Sequence, residues 1–291
     1  MKLATYKDGS RDGQLVVVSR DLRMAHYATG AAHTLQQALD DWNFIAPQLQ
    51  DLYVALNQGR ARHAFPFEPA RCMAPLPRAF QWLMADAAPA AGSGALPLLR
   101  QGSGDAFAGP HDDMLLHDEA QGADCGAGLA VMIGDLPVRS SPERALEAIR
   151  LLLLSNDWCL SALDGAAVPA WQATAFGPVA LTPDELGSAW ARGRLAATMQ
   201  LEFNGTVLES CETAAAAWHF GQLLSLACRT RPLRAGTLLG IALGNRACEA
   251  AARLRGAPRS MSWGDRVRIE ARGHDGNSLF GAIDQAVSPG D

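Results

Sequence analysis

The chain reads as an α+β protein built mainly of strands, mixed β with a few helices, and three features of the sequence point there. Short runs of alternating or β-branched residues outnumber the helical patterns. Turn-forming clusters such as Asp8-Gly9-Ser10, Asn204-Gly205 and His274-Asp275-Gly276-Asn277 punctuate them. Strands and helices also fail to alternate in the way that parallel α/β units require.

Taken in order, strands are expected at Lys2 to Tyr6, Gln14 to Ser19 and Ala25 to Ala28. A helix capped by Thr34 comes next, with Leu35, Leu39, Trp42, Ile45, Leu49, Leu52 and Leu56 at helical spacing. Together these make a small N-terminal α+β domain of residues 1–70, leaving 71–291 as a larger, strand-rich domain. Phe65 to Pro77 reads as a crossing segment, because apolar residues interrupt its prolines. Ala85 to Pro97, rich in Ala, Gly and Pro, reads as a loop.

Asp124 to Asp135 reads as a strand, and Pro142 to Ile149 as a short helix capped by Ser141 that feeds a strand at Leu151 to Asn156. Thr182-Pro183-Asp184-Glu185 has a cap residue, a proline at the first helical position and the acid of a capping box. Asn204-Gly205 between Met199 to Phe203 and Thr206 to Leu208 signals a hairpin. Thr213 to Cys228 is expected as the longest C-terminal helix, with His219 inside it. The closing strands are placed at Arg266 to Ala271 and Ser278 to Asp284.

Composition excludes several classes. The 291 residues carry a net charge of -5 with Lys and Arg scattered, so no basic stripe addresses nucleic acid or an anionic membrane. No stretch approaches the ~20 apolar residues of a membrane span, and the N-terminus, charged at Lys2 and Lys7, has no signal-length apolar run. The six cysteines, Cys72, Cys125, Cys159, Cys211, Cys228 and Cys248, show no C-x-x-C spacing, which argues against a zinc site or a disulfide framework. A cytoplasmic protein is expected.

Several stretches carry a more specific signal: MKLATYKDGSRDGQLVVVSRD at the start, HAFPFEP with MAPLPRAFQW, the LLLLSNDW run ending at Trp158, ATAFGPVALTPDELG, and GDRVRIE with SLFGAIDQ at the end. Through them the chain, from Met1 to about Pro77 and again from Gly102 to Val287, resembles the bacterial fumarylacetoacetate hydrolase family. The resemblance implies a mixed β-sandwich roll, usually a homodimer, and metal-dependent cleavage of a carbon–carbon bond in diketo acids. It implies metal ligands from an Asp, an E-x-E pair and the Asp of an N-D motif. Only the last is plainly present, as Asp157 after Asn156.

The E-x-E pair falls at Gly126 and Gly128. Residues two apart on a strand share a face, so acids there would converge on one cation, and glycines supply no oxygen. The family's Arg falls among Leu160-Ser161-Ala162, its Lys at Trp171, and its G-T-V-S loop at Gly240 to Asn245 without the Thr. The segment expected to carry the catalytic His has no histidine between His63 and His111. No metal and no other cofactor is therefore expected. Asp86, Asp105 and Asp124 are the acids that could serve as replacement ligands.

Asp157 is the candidate acid or base, with two readings: a carboxylate bonded to nearby amides, or a proton-transfer group with a raised pKa in an apolar pocket. Trp158, Trp171, Cys125, Gly126, Gly128, Ser161 and Asn156 are expected to line that pocket around a carbonyl-containing small molecule. His111, His117 and His219 lie far off in sequence, so a Cys–His nucleophile is not favoured. Function divides into a metal-independent enzyme promoting proton transfer, cyclisation or isomerisation of an enolisable carbonyl compound, and a pseudoenzyme that binds a ligand or partner without turnover. The first is preferred, and residual hydrolysis is the remaining alternative.

Overall fold

The structure, a computed structural model, describes residues 1–85, 96–163, 171–255 and 260–290. The first part of the chain forms β1 (Lys2–Tyr6), β2 (Gln14–Val18) and β3 (Met24–Tyr27), then helices α1 (Leu35–Asp40) and α2 (Trp42–Asn57), then the short β4 (Phe65–Pro66). Thr34 caps α1 through a capping box with Gln37. The helix expected to run unbroken from Thr34 is interrupted at Asp41, whose φ of -130° and ψ of 48° turn the chain before Trp42.

The chain continues through β5 (Trp82–Ala85), β6 (Leu99–Gly102), β7 (Met114–Leu116), β8 (Ala123–Ile133), helix α3 (Pro142–Glu147), β9 (Ile149–Leu160), β10 (Trp171–Phe176) and β11 (Ala180–Leu181). Ser141 caps α3 by accepting from the Arg144 amide. Next come a two-stranded ribbon, β12 (Trp190–Ala191) and β13 (Arg194–Leu195), and a hairpin, β14 (Thr198–Phe203) and β15 (Thr206–Glu212), around Asn204-Gly205. Helix α4 (Phe220–Ala227), β16 (Leu238–Ala242), helix α5 (Ala247–Arg255), β17 (Arg266–Arg272) and β18 (Ile283–Pro289) complete the chain.

Two sheets result. The large one runs β4-β3-β2-β1-β11-β9-β8-β16-β5-β6, with β10 also on β9. Because β1 pairs with β11, the strands of residues 1–70 extend this sheet across the expected domain boundary. The smaller sheet runs β15-β14-β17-β18-β7. Alternation along the strands divides the core. Leu129, Val131, Leu152, Leu154, Leu239 and Ile241 face the smaller sheet's Met199, Leu201, Val267 and Ile269. Met132, Leu151, Leu153 and Leu238 face the helical layer of Leu35, Leu39, Ile45 and Leu49.

Three sequence expectations are corrected. Thr182 does not act as a side-chain cap, and the residues after it, Pro183–Ala189, form a 3-10 stretch. Its hydroxyl is engaged by the Met1 ammonium at 2.5 Å, and Glu185 binds Arg20 at 2.8 Å instead of closing a capping box. The helix expected from Thr213 to Cys228 is only α4, preceded by a 3-10 turn at Thr213–Ala215, and His219 is its N-cap, accepting from the Gln222 amide. The last strand is Ile283–Pro289 rather than Ser278 to Asp284. Residues 86–95, most of the expected loop and Asp86 with it, lie outside the described residues. No described helix is long and apolar enough to cross a membrane.

Candidate functional site

Asp157 sits toward the C-terminal end of β9, 4% exposed, on the face of the large sheet whose far end is covered by α1 and α2. Its neighbours point the other way and fix it. Asn156 Nδ2 and Trp158 Nε1 both donate to Gln285 Oε1 at 3.0 Å, and Gln285 Nε2 donates to the Asp112 carbonyl at 2.6 Å. Burying a polar group costs free energy unless it is hydrogen-bonded, so this three-residue knot pins β9 to β18 from behind. The carboxylate is left facing forward.

In front, Thr174 of β10 lies directly opposite Asp157 in register and donates its hydroxyl to Asp157 Oδ1 at 2.7 Å. The same hydroxyl oxygen accepts from Trp82 Nε1 at 3.1 Å. An indole only donates and a hydroxyl has a single proton, so the direction of this relay is set: Trp82 to Thr174 to Asp157. Any proton on Asp157 is thereby assigned to Oδ2. Trp82 can reach Thr174 because its ring lies flat against β16 and β6, where a Cβ on Gly240 or Gly102 would strike the indole. Phe107 and Phe176 close around it edge-on, with centroids 6.1 and 5.5 Å from the indole.

Burial raises the Asp157 pKa to about 7; the Thr174 hydrogen bond and the positive charges of Arg246 and then Arg100 oppose the rise without cancelling it. Arg100 is paired across β5–β6 with Met84. It borders a cleft of about 450 Å³ together with Trp82, Met84, Phe107, Thr174 and residues 101–103 and 105–106. A second, smaller space of about 40 Å³ lies against Asp157, Gly126, Met84 and Arg246. Met84 walls both.

The residues expected around Asp157 divide by the parity of the strands. Gly126 is directly opposite Asp157 and borders the small space, while Gly128, opposite Ser155, shares that face. Asn156, Trp158 and Cys125 are on the opposite face, Cys125 paired with Trp158 and all three buried. They belong to the packing between sheets and to the Gln285 knot. Ser161 lies past the end of β9, its hydroxyl on the Gly122 carbonyl at 2.7 Å. Trp171 pairs with Cys159 through its backbone, and its side chain lies outside the described residues.

Asp105 is exposed beside the large cleft, next to the Ser103 hydroxyl. Asp124 is buried but committed elsewhere, accepting from the amides of Cys125 at 2.8 Å and Cys248 at 3.0 Å. His219 caps α4, and His117 packs against Gly290. Reasoning from sequence missed Trp82, Thr174, Arg100 and Arg246. A signal existed for Thr174, since it stands in the Gln172-Ala173-Thr174-Ala175-Phe176 run that carried the family resemblance.

The chain belongs to the fumarylacetoacetate hydrolase family. The family's C-terminal domain, described as fumarylacetoacetate (FAA) hydrolase C-terminal, matches residues 77–288, and fumarylacetoacetase N-terminal domain 2 matches residues 1–78. No curated protein matches. Among solved structures, the fold is that of fumarylacetoacetate hydrolase from the psychrophile Exiguobacterium antarcticum, with a TM-score of 0.75, 18% identity and 99% of both chains covered. Maleylpyruvate hydrolase from Sphingobium sp. SYK-6, solved in complex with manganese(II) ion and pyruvate, gives 0.74 at 16% identity with both chains fully covered. The 2-hydroxyhepta-2,4-diene-1,7-dioate isomerase of Mycobacterium marinum gives 0.67 at 16% identity, covering 99% of this chain and 98% of that one. The fold thus has hydrolases and isomerases among its solved neighbours.

The described groups around Asp157 do not fit the divalent metal that this fold family implies. A hard dication takes about six oxygen ligands, several of them carboxylates. Among the described residues no three His, Cys, Asp or Glu side chains converge on one point. Gly126 offers no side-chain donor, and at Gly128 even a Cβ would come within 2.7 Å of the Ile241 carbonyl oxygen and 2.8 Å of Ser155 Oγ. The charged residues that border the small space are Asp157 and Arg246.

Proposed function

We propose that this protein binds a small enolisable carbonyl compound of the keto acid or diketo type and moves a proton on it, as an isomerase or cyclase rather than a hydrolase. The observation that carries the reading is the relay from Trp82 through Thr174 to a buried Asp157, set beside a cleft of about 450 Å³. A cleft of that volume suits a small metabolite. A carboxyl with a pKa of about 7 divides evenly between acid and base near neutrality, the condition under which one group can both take and return a proton.

The step is balanced without a co-reactant. The Asp157 carboxylate takes the proton from the carbon next to the ketone, and the electrons of that C–H bond move to form the enolate. The proton then returns to the same carbon or to another, giving exchange in the first case and isomerisation in the second. The Thr174 hydroxyl holds Oδ1 throughout, so the proton travels through Oδ2. Pyruvate, present in the manganese complex of the maleylpyruvate hydrolase, is a suitable probe. The proposal is for a cytoplasmic homodimer acting without a cofactor and without nucleic acid or membrane as a partner.

The test is exchange of the pyruvate methyl protons for deuterium in D2O with EDTA present, followed by proton NMR. Wild type is expected to exchange them faster than buffer, and Asp157→Asn to lose ~100-fold or more of that rate. Equal rates for wild type, Asp157→Asn and buffer, with pyruvate bound, would leave a ligand-binding protein without turnover.

A further inference from the structure

We propose that Arg246 is the anion anchor of this site, its guanidinium holding the carboxylate of the ligand where relatives of this fold would use a metal ion. The inference rests on the proton-transfer reading for the identity of the site and adds to it the residue and the ligand group that decide binding. Four independent features of the fold converge on this one side chain.

The first is the corridor over Gly126. A Cβ built on Gly126 would have a single neighbour within 4 Å, Cγ of Arg246 at 3.9 Å. The stem of Arg246 therefore lies over the position from which an acidic side chain would project. A carboxylate at 126 and the arginine compete for one volume, and this chain has the arginine.

The second and third are the clamps on either side of it. On the N-terminal side, Glu209 of β15 accepts from the Asn245 amide at 2.8 Å and from Asn245 Nδ2 at 3.1 Å. Gly244 just before it has a φ of 71°, and a Cβ there would meet the Glu209 carboxylate at 2.9 Å. On the C-terminal side, Asp124 of β8 accepts from the Cys248 amide at the start of α5. Acid at a helix N-terminus satisfies an otherwise orphaned amide and complements the dipole. Two carboxylates from two different sheets thus fix the backbone at 245 and 248, and Arg246 falls between them. Its Nη1 also meets Cys159 Sγ, on the same face as Asp157.

The fourth is the size of the space it borders. The cavity against Arg246, Asp157, Gly126 and Met84 holds about 40 Å³. At roughly 10–15 Å³ for each water, that is room for about three waters, and so for a group as small as a carboxylate. Guanidinium presents paired donors in a plane that matches the two oxygens of such a group. The remainder of the ligand would extend past Met84 toward the larger cleft and Arg100. The ligand class is therefore a 2-keto carboxylate, rather than a neutral ketone or a metal chelate.

Pyruvate and pyruvamide test this because they differ by a carboxylate in place of a neutral carboxamide at nearly equal shape. Binding is measured by saturation-transfer NMR on the full chain with EDTA present. Wild type is expected to bind pyruvate at least ~10-fold more tightly than pyruvamide, and Arg246→Met to lose that preference while binding pyruvamide as before. Arg246→Lys, which keeps the charge without the fork, should fall between them and takes the place of the methionine variant if that one does not fold. Pyruvate affinity unchanged within about twofold in Arg246→Met, or in Arg246→Lys where it stands in, overturns the proposal. So does wild type that does not bind pyruvate at about 10 mM. The two readings fail separately: methyl exchange on pyruvamide without pyruvate preference removes the anchor and keeps the proton transfer, whereas pyruvate preference lost with Arg246 but no exchange on either ketone does the reverse.

Discussion

Replacing Asp157 with Asn should make the protein more stable in alkaline solution and leave it nearly unchanged in acid. The carboxyl is pushed from its ordinary 3.8 to about 7 by burial, so the folded state holds a proton that the unfolded chain releases. Below about pH 3.8 both states are protonated, and the contribution is fully present. As pH rises toward 7 the unfolded chain gains by ionising while the folded one does not, so stability falls, and above 7 the loss is complete. At ~1.4 kcal/mol for each pKa unit, a rise of about three units amounts to ~4 kcal/mol, of which about 3 lies between pH 5 and pH 8.5. Asn cannot ionise, and its carbonyl can accept the Thr174 hydroxyl as Oδ1 does now. Asp124, also raised by burial, is common to both proteins and cancels in the difference. Urea unfolding at pH 5 and pH 8.5 should therefore show a gap between Asp157→Asn and wild type that widens by ~3 kcal/mol, or roughly 6 °C in Tm for a chain of this size. A gap independent of pH would refute the reasoning, since it would mean that Asp157 is ionised in the fold at an ordinary pKa.

The glycines and the threonine give two further expected outcomes. Gly128→Ala should cost ~1–3 kcal/mol in urea unfolding, because the new methyl meets the Ile241 carbonyl, which belongs to a central strand and cannot yield. Gly126→Ala, whose methyl would meet Arg246 Cγ at 3.9 Å, an ordinary contact, should cost less than ~1 kcal/mol in the same measurement. Thr174→Val removes the hydroxyl that favours the ionised Asp157, so the pH dependence of methyl exchange should shift to higher pH. An unshifted profile would show that Asp157 is not the titrating group.

Much of the fold was legible because it is local. Lys2 to Tyr6, the Asn204-Gly205 hairpin and the Thr34 cap depend on neighbours within a few residues, and the structure has them. The misread elements were overruled from a distance. Thr182 and Glu185 look like a helix start until the N-terminal amine and Arg20, more than 160 residues away in sequence, take their oxygens. The alanines before Trp218 suggest a helix by propensity alone, but the capping box of His219 and Gln222 sets the start of α4 after them.

In the site, Asp157 could be read from its motif, whereas Trp82, Thr174, Arg100 and Arg246 come from four separate segments and meet only once the strand register is known. One part of the site was readable and overlooked. Strand residues alternate in facing, so Asn156 and Trp158 could not share a wall with Asp157, whatever the fold around them.

The most direct test of the account is a manganese(II) titration of the wild-type protein followed by electron paramagnetic resonance, in which bound ion disappears from the free-ion signal. With Arg246 beside Asp157 and glycine at 126 and 128, the account predicts no uptake at one ion per chain below about 1 mM free metal. One manganese bound per chain at micromolar concentration, and lost in Asp157→Asn, would contradict it and return the site to metal-dependent chemistry.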